Sequence, residues 1–170
     1  MNIRMLTEED AAIYQSLRLQ GLLDNPEAFG STYKETKDRP LSWFAERIQP
    51  QSDPIHSFVL GAFNIEGTLI GNIGFLQKSQ LKVRHQAMIW GMYVLPEMRG
   101  QGIAKALLQS TIERASSLPE IEQLHLSVVT TNNAARHLYR SLGFEVYGLE
   151  KHALKQNGIY FDEELMVLFL

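Results

Sequence analysis

The stretch from Val94 to Leu108 constrains this chain more than any other. An apolar run ends in Val94-Leu95, Pro96 stops it, and Arg99-Gly100-Gln101-Gly102 follows before Ile103, Leu107 and Leu108 begin a helical repeat. A strand that turns on glycines directly into a helix is a building unit of layered α/β proteins. The first turn of such a helix carries backbone N–H groups with no partner inside the helix, together with the positive end of its dipole. Both attract anions. Glycines at 100 and 102 let a bulky phosphate approach that backbone without meeting a Cβ. The sequence therefore predicts a phosphate-bearing ligand at this turn.

Spacing narrows the ligand. A dinucleotide fingerprint needs a small residue three positions beyond Gly102, where Lys105 stands. A P-loop needs Gly followed at once by Lys and Ser or Thr, and that is absent. What remains is Arg99-x-x-Gly102-x-Ala104, preceded by Val94-x-Pro96. This resembles the pyrophosphate-binding motif of the GNAT superfamily of N-acetyltransferases, Gln/Arg-x-x-Gly-x-Gly/Ala. Further along, Asn132 to Phe144 resembles the superfamily's second signature, Asn-x-x-Ala-x-x-Leu-Tyr-x-x-x-Gly-Phe, through Asn132, Ala135, Leu138, Tyr139, Gly143 and Phe144. The resemblance is strong from Met88 to Phe144 and looser elsewhere.

The resemblance implies acetyl-CoA as cosubstrate, no metal, and transfer of its acetyl group to a primary amine of a small molecule, an amino acid or a peptide N-terminus. It implies that the backbone of Met92, Tyr93 and Val94 holds the pantetheine amides. Backbone N–H groups of Arg99, Gly100, Gln101, Gly102, Ile103, Ala104 and Lys105 would hold the pyrophosphate. Tyr139 takes the place of the family's donor to the leaving thiolate, a role a phenol with an ordinary pKa near 10 suits; packing beside Leu138 and Leu142 is its structural alternative. Asn132 stands where family members contact the cofactor, and it is equally a good helix N-cap. Lys105 and Arg136 are candidate phosphate partners or plain solvated cations. Family members often form homodimers, so a homodimer is allowed.

The general base stays unassigned. Some members carry a glutamate eleven positions before the motif arginine, where this chain has Met88, which accepts no proton. His85 has a suitable intrinsic pKa, and Glu35, Glu150 and Asp162 are further candidates. Phe29, Tyr33, Trp90 and Tyr160 are aromatics for an acceptor pocket or for the core. Met88 leaves open a second class, a CoA-binding sensor on the same fold, against which Tyr139 stands.

Composition bounds the rest. One hundred and seventy residues, 45% hydrophobic and 21% charged, suit a single domain over 1–170 with a real core. A net charge of −3 offers no general attraction to nucleic acid or to an anionic membrane. With no cysteine, disulfides and thiolate chemistry are excluded, and a cytoplasmic setting is expected. No apolar run approaches the roughly 18 residues of a membrane span, and the start lacks a signal-peptide pattern.

Local patterns predict a strand over 2–5 and a helix from Thr7 with Ile13, Leu17, Leu22 and Leu23 as its stripe. Gly21 and Asn25-Pro26 are expected to end or break that helix. A helix over 41–48 and strands over 58–63, 69–76 and 87–94 follow, with Gly71 and Gly74 marking bulges or close backbone approach. Beyond the turn come a helix over 101–117, a strand over 124–128, a helix over 132–142, and strands over 144–149 and 161–169 joined across Asn157-Gly158. This order predicts an α/β (mixed α+β) protein: a twisted, mixed but mostly antiparallel sheet of six to seven strands with helices on both faces, as in the GNAT fold.

Overall fold

The computed structural model describes residues 1–50 and 56–170. Its strands are β1 (Asn2–Met5), β2 (Ser57–Phe63), β3 (Leu69–Gln77), β4 (Gln86–Val94), β5 (Gln123–Val129), β6 (Glu145–Gln156) and β7 (Ile159–Phe169). They make one sheet in the order β1-β2-β3-β4-β5-β7-β6. Every pairing is antiparallel except β4 with β5. The helices are α1 (Ala11–Asp24), α2 (Tyr33–Thr36), α3 (Leu41–Ile48), α4 (Ile103–Ser116) and α5 (Asn133–Ser141).

The helices cover both faces, as the element order predicts. On one face α4 buries Leu107 and Leu108 in a cluster with Phe58 and Phe75, whose rings stack at 4.6 Å. On the other, Tyr14 and Leu17 of α1 and Phe44 and Ile48 of α3 pack with Val59, Leu69 and Tyr93. Burying side chains of this size stabilises by about 1.5–3 kcal/mol each before the entropy of ordering them is counted. Among the described residues, no helix is long and apolar enough to cross a membrane.

Several local expectations need correction. Helix α1 starts one short 3-10 turn after Thr7, whose backbone N–H donates to Asp10 Oδ2 at 2.9 Å. Its buried stripe is Ala11, Tyr14, Leu17, Arg18, Gly21 and Leu22; Ile13 and Leu23 face solvent. Gly21 does not break the helix. A Cβ there would stand 3.0 Å from the Tyr93 ring, so glycine lets α1 settle against β4. The last hairpin is longer than expected, because Asn157 and Gly158, both at positive φ, turn the chain tightly between twelve- and eleven-residue strands. Gly71 and Gly74 do mark close approach: a Cβ on Gly74 would collide with the Trp90 indole, and one on Gly71 would lie 3.0 Å from Tyr93 O.

The feature that shapes the molecule is the join of β4 and β5. They pair in parallel only at Gln86–Gln123, Ala87–Leu124 and Met88–His125. Beyond that, β4 carries a bulge against β3, where Asn72 pairs with Tyr93 but Gly74 pairs with Trp90. The extra residue sits beside Gly91, whose φ of 65° glycine tolerates best. Bulges sharpen twist and bend a strand, and here the two strands part.

Candidate active site

Two clefts meet where β4 and β5 separate. The first, of about 670 Å³, runs along the parted strands to the start of α4. The second, of about 760 Å³, opens on the other side between the α1 and α3 wall and the β5, β7, β6 half of the sheet. Ile89, Trp90 and Gly91 from β4, and Leu126 and Ser127 from β5, line both. The two clefts thus share a wall where the strands part, with Phe29 also bordering both, so groups held in them would come together there.

Met92, Tyr93 and Val94 continue the β4 wall of the first cleft beyond Ile89, Trp90 and Gly91. Tyr93 and Val94 pair with Asn72 and Gly71 of β3 on one side, and none of the three pairs with β5 on the other. The Tyr93 ring turns away into the α1 cluster, where its hydroxyl donates to Asp24. Burial, then this contact with Asp24, pushes the phenol up and keeps it protonated.

At the end of the cleft the chain makes the glycine turn. Gly100 and Gly102 have φ of 76° and 79°, and a Cβ on either would meet nothing within 4 Å. Gly102 is the N-cap of α4. From Gly100 through Gln101, Gly102, Ile103 and Ala104 to Lys105, no backbone N–H donates to an acceptor among the described residues; Ala106 is the first to do so, to Gly102 O. Six consecutive unpaired donors at a helix start, beside open space, fit a pyrophosphate group. Arg99 differs from the other residues of the turn, because its N–H already donates to Pro96 O. Its side chain donates from Nε to Val94 O at 3.1 Å and from Nη2 to Asn25 Oδ1 at 2.8 Å, tying the turn to β4 and to the end of α1. Lys105 is exposed on the cleft wall.

Across the cleft, α5 presents Asn132 and Tyr139. Asn132 caps the helix, its Oδ1 accepting from Ala135 N at 3.1 Å, which leaves its amide N–H groups without a described partner. Tyr139 is 7% exposed, with Phe144 at 6.0 Å beside its ring. Its hydroxyl makes no hydrogen bond to a described residue and borders the cleft. Burial alone pushes this phenol up, so it is fully protonated at neutral pH.

The proton-acceptor candidates separate cleanly. His85 lies at the closed end of the β4–β5 pair, its carbonyl accepting from Glu122 and Gln123. Glu35 belongs to the capping box of α2, on the exposed side. Asp162 receives the N–H of His152 at a kink in β6. None of the three lines either cleft, whereas Glu150 and Met88 line the second. Two groups that sequence reasoning passed over join them there: His125, register partner of Met88, and Glu163, register partner of Glu150. Burial, then Lys78 and His85, lowers the His125 pKa and leaves the imidazole neutral. Burial, assisted by the Glu150 charge, pushes Glu163 above the usual carboxylate range, against the opposing pull of Ser127. The only hint in sequence was the alternation of β5, which puts His125 and Ser127 on one face.

Of the aromatic candidates, Phe29 and Trp90 line the clefts and Tyr33 and Tyr160 do not. Arg136 is no free phosphate partner: it grips Glu164 through Nε at 3.0 Å and Nη2 at 2.6 Å, and Arg140 joins the same carboxylate at 3.0 Å.

A model of the acetyltransferase (GNAT) family matches residues 20–144. The spermidine N(1)-acetyltransferase of Vibrio cholerae is 24% identical over 131 residues, covering 77% of this chain and 76% of that protein. An L-amino acid N-acetyltransferase of Escherichia coli K12 is 28% identical over 102 residues, covering 60% and 62%. Among solved structures, the yncA protein of Salmonella typhimurium, crystallised with its cofactor acetyl-CoA, superimposes with a TM-score of 0.83 at 23% identity, covering 100% of this chain and 94% of that one.

Proposed function

The chain belongs to the acetyltransferase (GNAT) family, and on that premise we propose that it moves an acetyl group from acetyl-CoA to the primary amine of a small molecule, an amino acid or a peptide N-terminus, by direct attack with both substrates bound. The observation that carries this reading is the meeting of the two clefts at Ile89–Gly91 and Leu126–Ser127. It gives donor and acceptor separate entrances and one shared point of contact, which is what an in-line transfer needs.

Bound acetyl-CoA supplies the activated thioester; the chain supplies position and proton handling. In this reading the free donors from Gly100 to Lys105 hold the pyrophosphate, and the unpaired side of Met92, Tyr93 and Val94 lies along the pantetheine. Asn132 contributes its amide N–H groups. The acceptor attacks as the neutral amine, its ammonium proton already given up; as its nitrogen bonds to the acetyl carbon, the carbon–sulfur bond breaks, nitrogen gives up one further proton, and sulfur leaves with the electron pair. Tyr139 meets that sulfur with a hydroxyl that has no competing partner among the described residues. Its raised pKa makes full proton transfer to a thiolate uphill, since an ordinary thiol ionises near 8.5; its contribution is a hydrogen bond that strengthens as sulfur gains charge. For the nitrogen proton the second cleft's wall offers two groups, the Glu163 carboxyl and the neutral His125 imidazole.

A mass-action test is direct. Acetyl-CoA at about a hundred times its Kd should stabilise the fold by about 2.7 kcal/mol, or several degrees in Tm, with ATP and NAD doing much less. Thiol release in the presence of an amine panel then separates a transferase from a CoA-binding sensor. Equal thermal shifts from all three ligands would remove the proposal.

A further inference from the structure

The second cleft carries opposite charges on opposite walls, and one of them is buried without a counter-ion. Helical spacing puts Arg18 on the buried stripe of α1, four residues after Tyr14 and three before Gly21. It is 8% exposed, and it lines this cleft. Phe29 stacks on its guanidinium, with Cζ 4.6 Å from the ring centroid, and Gly91 lies on another side, where a Cβ would stand 3.9 Å from Nη1. Among the described residues it has no ion pair and no hydrogen bond, and its Nη1 is wholly buried without a partner. Arg47 of α3 also lines the cleft, between the Trp43 and Trp90 rings at 4.8 and 4.7 Å, and it too has no ion pair among the described residues. Glu46, next to it on α3, comes within ion-pairing distance of neither.

A buried cation without a partner is costly, and a second guanidinium nearby adds to that cost. A structural arginine has its carboxylate already in place, as half-buried Arg136 has Glu164. Arg18 has instead an aromatic plate that fixes its plane and a glycine that leaves room beside it. A planar fork with free donors fits a carboxylate in two-point contact. On the facing wall, Glu150 and Glu163 pair in register across β6 and β7, also without a cation partner among the described residues. Glu163 lies on the side of Ser127, where the two clefts join.

We propose that the acceptor is an α-amino acid, or an amino-carboxylate of the same build, its carboxylate held by Arg18 with Arg47 and its amino group turned toward Glu163 and Ser127. This rests on the transferase reading above and sharpens it from any primary amine to a zwitterion. A polyamine would satisfy Glu150 and Glu163 but would place a cation against Arg18 and Arg47. A peptide N-terminus would lack the carboxylate two bonds from its nitrogen.

Matched acceptors test it. Free amino acids, their primary carboxamides and spermidine are each offered to the purified protein with acetyl-CoA, and thiol release is followed. The carboxamide's amine loses its proton more readily than that of the acid, so a preference for the acid cannot come from amine basicity. The expected result is a kcat/KM at least about a hundredfold higher for the acid. Arg18→Met should bring the ratio toward one, mostly through KM for the acid, and Arg18→Lys should restore part of it. If Arg18→Met does not fold, Arg47→Met, at a half-buried position, should lower the ratio about tenfold. Preference for the carboxamide or for spermidine overturns the assignment, as does a folded Arg18→Met with an unchanged ratio. Calorimetric binding of acetyl-CoA keeps the two failures apart: with binding intact, such results remove only the carboxylate site, whereas loss of binding by the unmodified protein removes the transferase reading and this one with it.

Discussion

Asn72 holds Gly91 in place: from a strand position 1% exposed, its Nδ2 donates to the Gly91 carbonyl at 2.9 Å. Gly91 has a φ of 65° and lies at the bulge in β4, just beyond Met88, the last residue of that strand to pair with β5. One amide side chain on β3 therefore props open the gap in which both clefts meet. Asn72→Ala should cost about 1–2 kcal/mol, the lower part of the range for a buried hydrogen bond, because the Asn72 Oδ1 that leaves with it has no partner either. Acetyl-CoA affinity should fall as well. Urea unfolding and calorimetric titration measure the two effects, and a variant unchanged in both would mean that the bulge holds itself open.

Gly102→Glu should abolish acetyl-CoA binding while leaving most of the fold intact. The space where the new side chain would start is empty, so nothing in the protein resists it sterically. The backbone does resist, since a φ of 79° costs a residue with a Cβ about 1–2 kcal/mol. The carboxylate would stand among the unpaired N–H groups where a phosphate is expected, competing for them and repelling it. Circular dichroism and a binding titration belong together here, and a folded variant with normal affinity would show that the turn is not the phosphate site.

Tyr139→Phe separates catalysis from packing. Because the hydroxyl borders the cleft and has no described partner, its removal should leave stability within about 0.5 kcal/mol, unlike the loss of a buried hydrogen bond. If the hydroxyl stabilises the leaving sulfur, kcat should drop by about 10²–10⁴ with little change in acetyl-CoA affinity. Unchanged turnover with a good acceptor, where chemistry limits the rate, would falsify the role.

The Glu164 carboxylate, held by Arg136 and secondarily by Arg140, lies below its usual range despite the opposing effect of burial. A carboxyl lowered in the folded state adds stability that is present above its unfolded pKa, about 4.3. That stability is lost as pH falls through the folded value. Glu164→Gln should therefore have a lower Tm than the parent at pH 7, and the difference should shrink below pH 4 and vanish once the parent's carboxylate is protonated. A Tm difference that stays constant from pH 7 to pH 3 would rule out the ion pair as its source.

What was legible in the sequence was local. Gly100 and Gly102 announce a turn open to close approach, which the structure builds at positive φ, and Asn132 announces a helix cap, because both depend on one residue's steric freedom or one side chain's reach to the next turn. The same holds for the strand alternation around Leu124, Leu126 and Val128 and for the tight turn at Asn157-Gly158. The two signature stretches line the first cleft, and each was legible because it is a short segment whose own chemistry sets its shape.

Periodicity alone misplaced the face of α1. It favoured Ile13 and Leu23 by hydrophobicity, but Gly21 lets Tyr93 approach, and the helix turns so that Arg18 goes inward. Arg136 passed for a free cation because its partner Glu164 lies 28 residues away on another element. Glu163 and Arg18, which face the second cleft, carried no signal in their own neighbourhoods. Local sterics and capping thus determined the elements and the glycine turn from sequence alone. Only the tertiary structure decided which charges are neutralised and which are left facing a cleft, because desolvation and pairing depend on residues that the sheet brings together from distant parts of the chain.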